Sequence, residues 1–209
     1  MKNDKETVKG FYFKFLVLVP HNDVRVLLRK HGELLLKDGL TGVYLFPWAA
    51  PIAELSEMFN ADELKYTAQS LRNITNGEKF SVTEAETASF PSEKEKMILL
   101  GHGLDLKITE KVFGEGIKKI KNIFTPLIIG SLLIPESDKQ QSRASQTEDL
   151  ISLCEKFSSR AAPREKLSFR AAAVANMHWK PFKNGDEAGY RWKIGKLFWL
   201  PNKIKSTGK

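Results

Sequence analysis

The sequence predicts an α+β protein of two lobes related by a pseudo-twofold, with mostly antiparallel sheets and helices packed on the outside. Three observations lead there. The order helix, strand, loop, helix, strand, strand occurs twice along the 209 residues. The pivotal strands of the two halves, 40–46 and 126–134, lie about 85 residues apart. Each half closes on two neighbouring strands, which suits antiparallel pairing better than a doubly wound parallel sheet. The expected arrangement is a single two-lobed domain. Half 1 covers about 11–104, half 2 about 105–201, and a basic tail follows at 202–209. The halves share a pattern but negligible identity.

The elements follow from local signals. Residues 11–19 are aromatic and β-branched and stop at Pro20, a strong strand signal. Val24, Leu27, Leu28, His31, Leu34 and Leu35 recur at helical spacing over 23–37, and Gly39 supplies a stop. Residues 40–46 read as a strand, which Pro47-Trp-Ala-Ala-Pro51 breaks. Asn60 and Glu63 have the spacing of a capping box for a second helix. Its stripe is Leu64, Ala68, Leu71 and Ile74, and Asn76-Gly77 ends it. Two strands near 79–85 and 96–101 complete the first half. In the second, a helix runs from Thr109 to about 123, with Phe113, Ile117, Ile120 and Phe124 on one face. The strand 126–134 comes next, then a polar loop over 136–146. A helix near 147–160 buries Leu150, Ile151, Cys154 and Phe157, and strands at 168–179 and 190–200 finish the chain.

Composition narrows the function classes. With 42% apolar and 28% charged residues the chain has enough apolar side chains for a sizeable core. No apolar run approaches the roughly 18 residues of a membrane span, and the first seven residues are too polar for a signal peptide. One cysteine, Cys154, excludes an internal disulfide and any cysteine-based metal cluster. The expectation is a cytoplasmic protein without membrane, metal or cofactor. The net charge of +8 is unevenly distributed. Residues 1–104 carry a net −1 and residues 105–209 a net +9. Such asymmetry suits a polyanion-binding face, or it reflects a solvated tail with edge-strand lysines.

Four stretches carry a family resemblance. They are Phe13-Lys-Phe-Leu-Val-Leu-Val-Pro with its following helix, Ser89-Phe-Pro-Ser leading to Met97-Ile-Leu-Leu-Gly-His-Gly-Leu, and the Phe124-Thr-Pro approach to the second pivotal strand. In these the chain resembles the two-histidine (2H) phosphoesterases, which include the 2′-5′ RNA ligases and cyclic phosphodiesterases. The resemblance implies a bilobal fold in which each half presents His-x-Thr/Ser on its central strand to a shared cleft. Two imidazoles would act as general base and general acid, and the hydroxyls would hold the phosphate oxygens. The positions that match are substituted. After Thr125-Pro126 the histidine falls on Leu127 and the threonine on Ile129. In the first half the motif falls within Gly42-Val-Tyr-Leu-Phe, on Val43 and Leu45, or with a one-residue slip on Tyr44 and Phe46. An aliphatic side chain neither transfers a proton nor binds a phosphate oxygen. Each missing acid–base group removes about 10²–10⁴-fold, so the family reaction is not expected.

None of the four histidines restores the motif. His21 sits at a strand end, where it begins a turn. His31 is at the inner edge of a helix, His102 is in a Gly-His-Gly loop, and His178 is in strand 168–179. On that last strand strict alternation puts Arg170, Asn176 and His178 on one face, separated by the small residues Ala172 and Val174, which would leave room for a ligand or allow close packing. With Tyr44, these three are the candidate binding residues. The partner they suit is RNA or a nucleotide phosphate, because an arginine fork matches phosphate. Trp48, Trp179, Trp192 and Trp199 lie among Lys180, Arg191, Lys193 and Lys196, as in a stacking platform for single strands or as ordinary strand packing. The remaining readings are a protein-binding scaffold and an enzyme with relocated catalytic groups at His178, His102 or Tyr44.

Overall fold

The computed structural model describes residues 11–40, 46–55, 61–75, 82–91, 96–104, 118–120, 123–132, 151–160, 167–181 and 188–200. The strands are β1 (Phe11–Pro20), β2 (Ala50–Leu55), β3 (Val82–Pro91), β4 (Lys96–Leu104), β5 (Lys118–Lys119), β6 (Ile123–Leu132), β7 (Phe169–Pro181), β8 (Ala188–Ile194) and β9 (Phe198–Trp199). The helices are α1 (Asn22–Lys37), α2 (Ala61–Thr75) and α3, which includes 151–158. The fold is α+β, and every strand pair is antiparallel.

One sheet runs β5-β2-β1-β7-β8, with β9 also pairing β7; the other runs β3-β4-β6. Each therefore draws strands from both halves of the chain, and the sheets do not coincide with 11–104 and 105–201. The reason lies in β1 and β7. They pair over almost their whole length, from Phe11 opposite Trp179 to Val19 opposite Ala171, and join the two ends of the described chain into one sheet.

Alternation along β1 divides the core. Leu16 and Leu18 point to one face and meet Val24 and Leu28 of α1 and Leu71 of α2. Phe13, Phe15, Val17 and Val19 point to the other, where Leu99 of β4 and Ile123 of β6 close over them. A third cluster of Leu35, Leu40, Leu100 and Phe157 joins α1, β4 and α3.

Three of the strand prolines coincide with register shifts, where the ladder is already interrupted. Pro51 follows the shift between Leu16 and Val17. Thr125-Pro126 lies opposite the shift between Leu100 and His102. Pro20 opposes Phe169 while Val19 opposes Ala171, so Arg170 is the extra residue of a bulge. Several elements depart from those expected. Leu40 and Phe46 lie outside any strand, 41–45 are outside the described residues, and the strand after α1 is β2, which starts within the expected Pro47–Pro51 break. The helix expected to reach 123 gives way to β5 at Lys118, and β6 begins at Ile123. His102 is within β4, not in a loop. Leu34 and Ile151, expected inside, are 45% and 51% exposed.

The end of α1 shows how sequence sets local geometry. Gly39 has φ of +83°, its N–H donates to the Leu36 carbonyl at 2.9 Å, and Leu40 N–H donates to the Leu35 carbonyl at 3.0 Å. Leu35 and Leu40 then pack in the same cluster, completing a Schellman stop. A Cβ at Gly39 would meet nothing within 4 Å, so only the backbone conformation penalises a side chain. Gly39→Ala should cost about 1 kcal/mol, and Gly39→Asn less, measured as shifts of the urea midpoint. Equal midpoints for all three proteins would contradict the left-handed stop.

Candidate nucleic-acid interface

The alternation that buries Phe13 and Phe15 turns Tyr12 and Lys14 to the opposite face. Register carries that face across the sheet. Tyr12 opposes His178, which opposes Arg191; Lys14 opposes Asn176, which opposes Lys193. Directly paired residues on neighbouring strands share a face, so six side chains form two parallel rows. The strands stand about 4.8 Å apart and the rows about 7 Å. Tyr12 is 70% exposed, Arg191 and Lys193 are exposed, and Lys14, Asn176 and His178 are half-buried. The Tyr12 and His178 rings stack at 4.1 Å and 6°, which holds the tyrosine upright on the sheet. The six carry cations, amide donors and rings, and no carboxylate.

Asn176 and His178 therefore stand together as the sequence suggests, but Arg170 does not join them. It lies six and eight residues away, roughly 20–26 Å of extended strand. The bulge also upsets the alternation that would have put it on their face. Its guanidinium sits 5.3 Å from the centre of the Trp199 ring. Trp199 opposes Ala171 on the face of Phe15 and Met177, whereas Phe198 and Leu200 pack on the other. The bulge also turns the Arg170 carbonyl to accept the Leu200 N–H at 2.7 Å.

The small residues of β7 are covered on both faces. On the face of Asn176 and His178, Ala172 is fully buried in the cluster that holds Leu28 of α1 and Leu71 of α2, and Val174 packs against it. On the other, Ala171, Ala173 and Ala175 are fully buried under a cluster that contains Phe15, Phe46 and Trp192. Phe46 meets Trp192 edge-on at 4.0 Å between centroids, and Phe15 lies 5.9 Å from Trp192. The expected tryptophan platform divides in the same way. Trp192 turns inward between the outward Arg191 and Lys193, Trp48 is half-buried, Trp199 carries Arg170, and the Trp179 side chain is outside the described residues. The stacking rings on the basic face are instead Tyr12 and His178. Tyr12 and Lys14 could have been noticed as the two polar residues in a mostly apolar strand, but their neighbours depend on a register that pairs them with residues 178 and 176.

Of the substituted motif positions, Val43, Tyr44 and Leu45 lie outside the described residues. Leu127 and Ile129 are in β6, and Leu127 opposes Leu100. β2, the strand that follows α1, reads Ala-Pro-Ile-Ala-Glu-Leu and offers neither imidazole nor hydroxyl.

Two other histidines meet in the interior. Nε2 of His31 on α1 lies 2.9 Å from Nε2 of His102 on β4, and Phe157 of α3 covers His102 with centroids 4.4 Å apart. Nδ1 of His102 is buried without a partner. A bare lone pair there costs less than a bare N–H, which assigns the His102 proton to Nε2, donating to His31. Burial, and then the neighbouring His31, hold the His102 pKa down to about 3. Burial and the Arg160 charge lower that of His31. Arg160 is itself clamped by both carboxylate oxygens of Asp38. Among the described residues no group of three His, Cys, Asp or Glu is placed to hold a metal ion, and no helix is long and apolar enough to cross a membrane.

No protein family, curated protein or solved structure matches the chain.

Proposed function

We propose that this chain is a catalytically inert relative of the 2H phosphoesterases that binds single-stranded RNA on the uncovered end of its larger sheet. The observation that carries the reading is the pair of cross-strand rows, Tyr12–His178–Arg191 and Lys14–Asn176–Lys193. Cations spaced along neighbouring strands suit successive phosphates, and an upright exposed ring offers a π-face to a base of any identity. The inert half of the reading rests on the aliphatic motif positions and on the apolar cluster between the sheets. Relocated catalysis has less support. His31 and His102 are buried on each other, and His178 is stacked against Tyr12.

The test is anisotropy of a labelled oligouridine at about 50 and 200 mM salt, for the wild type and for Arg191→Ala/Lys193→Ala. Each lost phosphate contact should lower the slope of log K against log salt by about 0.7, so the double variant should lose about 1.4. Tyr12→Ala should weaken binding by about 1–3 kcal/mol. Binding that is absent at low salt, or unchanged in the double variant, would remove RNA from the reading and leave the rows as a surface for a protein partner.

A further inference from the structure

A second cationic surface lies beyond the other end of β1, about 26 Å along the strand from Tyr12 to Pro20. Asn22, Arg25, Val26 and Arg29 follow one another at i, i+3, i+4 and i+7, so they share one side of α1. Val24, Leu28, His31 and Leu35 bury a different side. Facing the first set is Trp48, and together these five residues line an open groove of about 510 Å³, a volume in the range of small-ligand sites.

We infer that this groove binds a nucleoside phosphomonoester, with the phosphate on Arg25 and Arg29 and the base against Trp48. The two arginines are one helical turn apart, about 6 Å along the axis, so a phosphate between them meets both. Among the described residues Arg25 has no carboxylate partner. Arg29 gives only its Nε to Glu33, at 3.2 Å and on the exposed surface, which leaves its two amino groups to form a fork. A planar guanidinium fork matches phosphate oxygens, and two of them suit a dianion better than a carboxylate. Trp48 is half-buried and packs against two separate apolar clusters, so it presents a fixed wall. Val26, 60% exposed, gives an apolar floor on which a base can lie, and the Asn22 amide offers a donor and an acceptor within the same groove. The inference stands apart from the RNA-binding rows and shares no residue with them.

The experiment is calorimetric titration of the full chain with AMP and with UMP, alongside inorganic phosphate, adenosine and a 5′-phosphorylated oligonucleotide. AMP should saturate the protein at a one-to-one ratio, while adenosine should bind at least roughly tenfold more weakly, the loss expected for charge-assisted hydrogen bonds. Arg25→Ala and Arg29→Ala should each weaken AMP about tenfold or more, and Arg191→Ala/Lys193→Ala should leave it unchanged. Trp48→Phe keeps a ring in the wall and should retain binding. In the Arg191→Ala/Lys193→Ala protein, a 5′-phosphorylated oligonucleotide that binds more tightly than AMP and loses that affinity on Arg25→Ala would place this chemistry at an RNA end; equal affinity would point to free nucleotides. No saturation by millimolar AMP, adenosine binding as well as AMP, or indifference to Arg25→Ala would each overturn the assignment.

Discussion

Acidification from pH 6.5 to 5 should destabilise the protein by about 2 kcal/mol through His102 alone, at roughly 1.4 kcal/mol per pH unit. In the unfolded chain this imidazole takes a proton near pH 6.5, whereas in the fold it stays neutral until about 3. Between those values the unfolded state binds more protons, so stability falls as the pH falls; well above 6.5 the group contributes no slope. Carried to pH 3 the loss is about 4–5 kcal/mol, a large part of the 5–15 kcal/mol that holds a typical domain together. His31, lowered by burial and by Arg160, adds to the loss in the same direction. The charges around the pair do nothing to relieve it. Arg160 is cationic, its partner Asp38 is already engaged by it, and the half-buried Cys154 has its own pKa raised by burial. Urea midpoints measured at half-unit steps would read the slope before most carboxylates titrate. His102→Leu should flatten the pH 5–6.5 segment. A wild-type midpoint that is level across that window would show that His102 is not buried as a neutral group.

The histidine pair also shows what sequence could and could not reveal. Helical spacing placed His31 on the inner edge of α1, and the structure finds it buried there. Nothing local linked it to His102, 71 residues away, because that contact depends on how α1 lies over the smaller sheet. Elements with a strong period were legible. β1, α1, the Gly39 stop, α2 and β7 fall within a few residues of their expected bounds, and the α+β antiparallel class follows from them. What was not legible arose where proline met a strand. Pro47 to Pro51 read as a break because a proline lacks an amide hydrogen, yet a bulge tolerates that loss and β2 runs through Pro51. The same kind of irregularity at residue 170 undid the inference from alternation, since one inserted residue moves a side chain to the other face. The rows proposed as an interface were accordingly half visible. Asn176 and His178 were found from β7 alone, whereas Tyr12, Lys14, Arg191 and Lys193 join them only through pairing between distant strands.

Phe15→Ala should be the most damaging single substitution in the apolar interior between the sheets, at about 3–5 kcal/mol. The ring is fully buried, and its strand is paired on both sides, with Glu54 of β2 and Ala175 of β7 as direct neighbours. Around it are Phe13 at 6.2 Å, Trp192 at 5.9 Å and Phe46 at 6.4 Å. The alanines beneath cannot extend to fill a void, and the strand cannot shift without breaking two ladders, so most of the cavity would remain. Phe15→Leu, which keeps more of the volume, should cost markedly less. Tyr12→Ala, three residues earlier on the outward face, should change the urea midpoint by under about 1 kcal/mol, yet it is the variant expected to weaken RNA. Alternation on a single strand thus buries one face in the core and leaves the other for the recognition proposed above. The two substitutions measured together test that division. If Phe15→Ala lost less than about 1 kcal/mol, the space between the sheets would be loosely filled and open to a ligand after all. If Tyr12→Ala proved as damaging as Phe15→Ala, its ring would belong to the core, and the case for an outward-facing platform would fail.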